Sequence, residues 1–208
     1  PSRVDYYYNT GKKVIQDNKK GIRDIIVGDY VEPGVWNKLY RADILKELRM
    51  PPDIKINEDV IFNFYAFVNS QKSVYEDIPY YYYLVRKGSA ANSELNENQL
   101  FDPVKVRKMI YEYCMSNLDD KLKSIAYCSY LNSIMRLYRT VHNNSLNQYK
   151  TEAKFYREQI KKEKCRFVLS KRVLIDKLLF FHCTGLLMFI YNIYDKFLSK
   201  NTNKYEVK

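Results

Sequence analysis

Histidine, tryptophan and closely paired cysteines are scarce in this chain of 208 residues. The two histidines, His142 and His182, offer little material for a histidine-based metal site. None of the four cysteines belongs to a C-x-x-C pair, so a zinc site is not expected. The N-terminus also lacks a basic stretch followed by an apolar one, which disfavours a secretory signal. Reduced thiols in a cytosolic protein are therefore the simpler expectation.

Excess charge of either sign is missing from the first half of the chain. Residues 1–100 carry 14 Lys and Arg against 14 Asp and Glu, whereas residues 101–208 carry 21 against 10. The whole net charge of +11 therefore lies in the second half, and this asymmetry indicates an anionic partner there. We expect no nucleic acid, because the sequence contains no recognised binding motif and no aromatic residues interleaved with its basic cluster.

Hydrophobic residues make up 46% of the chain, and their spacing predicts a mixed first part and a helical second part. The first part has alternating strand-like and helix-like segments. The predicted helices lie at 18–28, at 41–48 and after Asn57, which is the expected N-cap. The predicted strands lie before 17 and at 35–40, 72–76 and 80–86. From residue 100 onward the pattern is helical, with a charged helix at 152–166. The predicted fold is thus α/β over residues 1–98, followed by an all-α extension over residues 99–208.

One uncharged run of 17 residues, from Leu178 to Tyr194, follows a basic segment. A spanning helix needs about 20 apolar residues, and this run is shorter and contains several polar ones. Three interpretations stay open: a helix that covers the core, a helix that lies in the plane of a membrane surface, and a true span. The neighbouring lysines and arginines are what attachment to anionic lipid requires.

Three short motifs occur in a fixed order in the first half. They are W-N-K-L-Y-R at 36–41, N-E-D at 57–59 where a helix should begin, and Y-L-V-R-K-G-S at 83–89. This order resembles the C-terminal, acceptor-side half of bacterial family 2 glycosyltransferases of the GT-A type. The resemblance covers roughly residues 20–93.

The resemblance implies an inverting transfer of a hexose from a nucleotide-sugar donor to a glycan or lipid-linked acceptor. An inverting transfer needs a carboxylate that takes a proton from the attacking hydroxyl group, and by resemblance that general base is Asp59. Five further residues receive binding roles. Those for the acceptor are Glu58, Trp36 and Lys38, and those for the donor diphosphate are Arg86 and Ser89.

The family's Asp-x-Asp motif, which holds the metal that bridges the donor diphosphate, does not occur in this sequence. The resemblance therefore implies that a donor-binding half with Mg²⁺ or Mn²⁺ precedes Pro1, and that this part alone is inactive. We expect a cytoplasmic protein, with residues 152–198 attached to the inner face of the cell membrane as an open alternative. A rival function is that of a non-enzymatic basic helical module that binds a membrane surface or nucleic acid.

Overall fold

The computed structural model describes residues 10–28, 31–81, 95–163 and 169–198, the last four of them by their backbone only. Its elements are mostly helices, with one pair of strands. In chain order they are β1 (Lys13–Asp17), α1 (Asn18–Val27), α2 (Ala42–Leu45), α3 (Glu58–Val68), β2 (Lys72–Glu76), α4 (Glu97–Asn117), α5 (Asp120–Asn143), a 3₁₀ turn (Asn147–Tyr149), α6 (Lys150–Lys162), α7 (Lys171–His182) and α8 (Thr184–Leu198).

The sheet consists of β1 and β2, which pair antiparallel with Lys13 opposite Glu76 and Asp17 opposite Lys72. Helix α1 follows β1 directly, and Asp17 caps it by accepting a hydrogen bond from the backbone N–H of Lys20. The Asn18 side chain donates to carbonyl oxygens at the end of α3, which joins the sheet to that helix. The predicted helix over 18–28 and the predicted strand over 72–76 are confirmed.

The first part contains fewer strands than its sequence pattern predicts. The strand predicted at 35–40 is wrong: these residues form a turn and extended loop, because the Lys38 ammonium group binds the carbonyl oxygens of Glu32 and Gly34 and curls the chain around itself. Tyr80 and Tyr81 are not in a strand, and the rest of the segment predicted as a strand, 82–86, lies outside the described residues. The coarse result is a helix-rich fold with a small antiparallel sheet.

A single hydrophobic core extends from α1 to α8. Its fully buried members include Ile22 of α1, Phe64 of α3, Ile134 of α5 and Phe180 of α7. Helix α5 lies at the centre of the fold, since it packs against α1, α4, α6 and α7. The domain boundary near residue 98 stays a prediction, but the helices on its two sides share one core.

The uncharged run 178–194 is not one helix. Helix α7 ends at His182, and α8 begins at Thr184. The guanidinium group of Arg157 donates to the carbonyl oxygens of Phe180 and Phe181 at 3.1 Å, so it satisfies carbonyl groups that the end of α7 leaves without a helical partner. Over the described ranges of the chain, every helix is too short or too polar to cross a membrane.

Candidate functional site

Asp59 occupies the first turn of α3, as the motif at 57–59 predicts. Helix α3 forms because Val60, Ile61 and Phe64 recur at helical spacing and are fully buried. Asn57 is the N-cap residue of α3, as predicted, but it adopts the left-handed conformation with φ 70° and its side chain makes no capping hydrogen bond. Asparagine tolerates this conformation better than most residues, so Asn57 turns the chain sharply into α3.

Helix α4 fixes the approach to this turn. The carboxylate of Asp102 is fully buried, and one of its oxygens accepts hydrogen bonds from the backbone N–H groups of Lys55 at 2.9 Å and Ile56 at 3.2 Å. Its other oxygen faces the Lys105 ammonium group at 3.2 Å. Both amides lie just before the Asn57 turn. Asp102 therefore fixes the position at which α3 begins, and with it the position of Asp59. No motif or spacing in the sequence marks Asp102 for this role.

The Asp59 carboxyl group is half-buried, and its surroundings oppose its ionisation. Burial raises the pKa of Asp59, and the neighbouring charge of Glu58 raises it further. The backbone N–H of Val60, which donates to Asp59 Oδ1 at 2.8 Å, and the charge of Lys38 lower the pKa in part. A carboxylate whose pKa is raised toward the working pH is a stronger base than an ordinary one.

Lys38 lies close enough to Asp59 for the two charges to interact, yet its hydrogen bonds go to the loop. Its ammonium group donates to the carbonyl oxygens of Glu32 and Gly34 and to the side-chain oxygen of Asn37, at 2.6 Å for Gly34 and 2.8 Å for Asn37. Burial lowers the pKa of Lys38 to about 8. Lys38 therefore holds the loop 32–38 in place beside Asp59, and its role toward the acceptor stays a prediction.

Arg107 of α4 is a second cation near Asp59, and sequence analysis missed it. Burial lowers the pKa of Arg107, and the charge of Asp59 opposes that shift. The Nη1 atom of Arg107 is fully buried and has no hydrogen-bond partner among the described residues. A signal existed: Val104, Tyr111 and Cys114 make a buried stripe at helical spacing, and Arg107 falls on that stripe.

Tyr40 and Asn63 complete the surroundings of Asp59. The Tyr40 hydroxyl donates to the side-chain oxygen of Asn63, and the Asn63 amide donates to the carbonyl oxygen of Pro33. Burial and the charge of Asp59 raise the pKa of Tyr40 to about 12. These bonds attach the loop before α2 to the buried face of α3, so the W-N-K-L-Y-R motif and the N-E-D motif form one structural unit.

Trp36 lies on this loop with its ring partly exposed and tilted against Tyr81, at 4.9 Å between ring centroids. Its indole covers Gly34 so closely that a Cβ atom on Gly34 would stand 2.2 Å from the indole nitrogen. Gly34 is thus required for the present position of the indole. An exposed aromatic pair can stack on a sugar ring, which keeps the acceptor-platform role of Trp36 as a prediction.

We expect Gly34→Ala to displace the only tryptophan of the chain. The methyl group leaves no room for the indole, so Trp36 should become more exposed, with a red-shifted emission maximum and faster quenching by acrylamide. Gly185→Ala is the matched control, because nothing lies within 4 Å of a Cβ atom placed there. Unchanged emission in the Gly34 variant would contradict this account of the loop.

The remaining sequence-predicted residues, Arg86 and Ser89, lie outside the described residues. In the described part of the chain, no group of three His, Cys, Asp or Glu side chains comes together to hold a metal ion. Glu58 and Asp59 are adjacent carboxylates, but cations of Lys38 and Arg107 already lie near Asp59. This set does not fit Mg²⁺ or Mn²⁺, which prefer several oxygen ligands.

No protein-family model, curated protein or solved structure matches this chain. The geometry alone therefore defines the chemistry that the site could perform. It presents a half-buried carboxylate with a raised pKa, two nearby cations and an exposed aromatic pair, Trp36 and Tyr81, from two separate loops. Such a site can accept a proton from a bound hydroxyl group and can favour an anion close to the cations.

Proposed function

We propose that this chain is the acceptor-side part of an inverting glycosyltransferase in bacterial polysaccharide or glycan synthesis. The observation that carries the proposal is the placement of Asp59, a half-buried carboxylate with a raised pKa in the first turn of α3. The motif order at 36–41, 57–59 and 83–89 supports the same assignment. The GT-A type of the complete catalytic domain is part of this proposal.

In the proposed reaction, Asp59 accepts the proton of an acceptor hydroxyl group while that oxygen attacks the anomeric carbon of the donor sugar. The bond from the anomeric carbon to the nucleoside diphosphate breaks on the opposite face, and the diphosphate leaves with the bonding electrons. Near the base, Arg107 offers a buried guanidinium nitrogen that has no hydrogen-bond partner in the described part of the chain. It favours the ionised form of Asp59 before the transfer begins.

In the proposed reaction, the divalent metal and the nucleotide would be held by a separate donor-binding half. The metal would neutralise the charge of the leaving diphosphate there. On this chain, Trp36 and Glu58 would contact the acceptor, and Arg86 and Ser89 would contact the donor diphosphate.

The decisive experiment is a transfer assay of the protein with its donor-binding half, carrying either Asp59 or Asn at that position. Absence of transfer in the unaltered protein, across nucleotide-sugar donors and with its natural acceptor, would refute the proposal.

Attachment to a membrane surface is a second candidate function, favoured by the outer face of α7 and α8. The side chains on this outer face are large, apolar and about half exposed. They are Leu174, Ile175, Leu178, Leu186, Phe189, Ile190 and Ile193. Leu187 and Phe180 point the other way, into the core. A cluster of seven exposed large apolar side chains is typical of an interaction site, and the basic character of residues 101–208 favours anionic lipid as the partner.

We expect Leu178→Glu and Phe189→Glu each to weaken binding to anionic vesicles by about tenfold or more, because each removes one apolar side chain from the interface and adds a negative charge. Point variants are preferable to deletion of residues 152–208, since Phe180 and Leu187 belong to the shared core. The measurement is co-sedimentation with vesicles that contain phosphatidylserine, over a series of salt concentrations. Salt should weaken binding without abolishing it, because the apolar contribution is not screened.

Leu39→Glu is the matched control, since Leu39 is fully exposed and lies in the loop before α2. It should bind vesicles as the unaltered protein does. Equal sedimentation of all variants would refute the membrane role. Loss of self-association in the Leu178 and Phe189 variants, with unchanged vesicle binding, would refute it as well and would assign the outer face to a second copy of the chain.

A further inference from the structure

The inner faces of α7 and α8 form a half-open cavity against α5. Its volume is about 490 Å³, within the range of small-molecule sites. It is built from different elements than those that carry Asp59. On α7 it uses Asp176 and Phe180, and on α8 it uses Leu187 and Tyr191, each pair four residues apart on one helix face. The outer apolar face lies on the opposite side of both helices, so the cavity is a separate feature.

The polar part of the cavity is basic. Three arginines line it, Arg136 and Arg139 from α5 and Arg172 from α7, against the single carboxylate of Asp176 among the described lining residues. That carboxylate is already engaged, because the Tyr191 hydroxyl donates to it at 3.0 Å. Three guanidinium groups around one occupied carboxylate leave an excess of positive charge that favours a bound anion.

Each arginine is held differently. Arg139 stacks over the Tyr191 ring, with 5.1 Å from the guanidinium carbon to the ring centroid, and Arg172 reaches the Tyr191 hydroxyl. Arg136 is exposed and makes no hydrogen bond or ion pair to any described residue. Two arginines are thus oriented by Tyr191, and the third is available to a ligand. A guanidinium group can donate two parallel hydrogen bonds to the oxygens of a phosphate, so these arginines suit a phosphate ligand.

The rest of the wall is apolar. Met135 of α5 and Met188 of α8 are both nearly buried, and with Phe180 and Leu187 they form a wall that methionine side chains can adapt to a chain of variable shape. An inorganic anion would leave this wall without a partner, and an uncharged apolar molecule would leave the arginines without one. A ligand that matches both parts carries an anionic group on an apolar chain.

We propose that this cavity binds a phosphate ester with an apolar chain, of the kind found in anionic lipids. The arginines bind the phosphate oxygens, and Met135, Phe180, Leu187 and Met188 contact the first part of the chain. Binding here needs neither the base at Asp59 nor the outer face of α7 and α8. Failure of either earlier proposal would therefore leave this one standing, and the reverse also holds.

Methyl signals of methionine in NMR spectra test the proposal directly. The chain has five methionines, and two of them, Met135 and Met188, line the cavity. Addition of dodecyl phosphate below its micellar concentration should shift these two signals in a saturable way and leave those of Met50 and Met115 unchanged. Inorganic phosphate, which is the anion without a chain, and dodecyl maltoside, which has the same chain on an uncharged head group, should shift them little at the same concentration.

Arg136→Gln should weaken dodecyl phosphate binding about tenfold, since it removes one charge-assisted contact. It should leave the fold intact, because Arg136 has no partner to lose within the described chain. Arg49→Gln, an exposed arginine outside the cavity, is the matched control and should bind as the unaltered protein does. An equal response to dodecyl maltoside or to inorganic phosphate, or unchanged affinity in the Arg136 variant, would overturn the proposal.

Discussion

With Asp59 as the proposed general base, Asp59→Asn should lower the turnover of the protein with its proposed donor-binding half by roughly 10²- to 10⁴-fold, the usual effect of removing a general base. Asparagine has nearly the same shape, so the acceptor should still bind and its KM should change little. The loss should fall on kcat, because the amide group does not accept the proton in the transition state. The measurement is the initial rate of sugar transfer at saturating donor.

The same substitution should leave the fold stable, and this separates a catalytic role from a structural one. Because its pKa is raised in the folded protein, Asp59 favours the folded state only while it is protonated. That contribution is complete below the pKa of the unfolded chain and is lost as the pH rises through the higher folded pKa. At neutral pH the ionised group opposes folding, so Asp59→Asn should not lower the free energy of unfolding. The side-chain oxygen of asparagine can still accept from the Val60 amide.

Asp53→Asn controls for the loss of a carboxylate near the site, since Asp53 is exposed in the loop that leads to α3. It should retain full activity. In the pH–rate profile of the unaltered protein, activity should fall on the acid side with an apparent pKa above the ordinary aspartate value of 3.8. Near-normal turnover of the Asp59 variant with the natural acceptor would exclude Asp59 as the base.

Local patterns in the sequence predict the position of Asp59 well. Apolar spacing fixes where α3 runs, and the two acidic residues suit its positive N-terminal end. The conformation of Asn57 was not predictable in the same way, because a side-chain cap and a left-handed turn use the same residue type. The loop at 35–40 was misjudged for a similar reason: its residues favour a strand, but Lys38 binds the carbonyl oxygens around it.

Contacts between distant segments account for what sequence analysis missed. Arg107 comes to Asp59 only because α4 packs against α3, and Asp102 meets the amides of Lys55 and Ile56 for the same reason. The break between α7 and α8 likewise depends on Arg157, from another helix. One clue was present in the sequence. Arg107 falls on the apolar stripe of α4, a position that faces the interior and not the solvent.

Asp102→Ala should have the largest effect on stability, a loss of about 3 kcal/mol in the free energy of unfolding. The variant removes the acceptor of two backbone N–H groups and leaves those groups unsatisfied beside a buried space. The ion pair with Lys105 adds little, because that lysine is about half exposed. Asp102→Asn should lose less, about 1 kcal/mol, since its side-chain oxygen can still accept from the two amides.

Asp120 provides a matched comparison, because it pairs with Lys123 at the same spacing as Asp102 with Lys105. Asp120 is exposed, and so Asp120→Ala should lose no more than about 0.5 kcal/mol. Urea unfolding of the three variants measures the difference, with an unchanged slope showing that the unfolded state is unaffected. If Asp102→Ala and Asp120→Ala lose equally little, the two amide bonds do not hold the turn before α3. The position of Asp59 would then need another cause, whereas a large loss for Asp102 alone makes α4 the element that places Asp59.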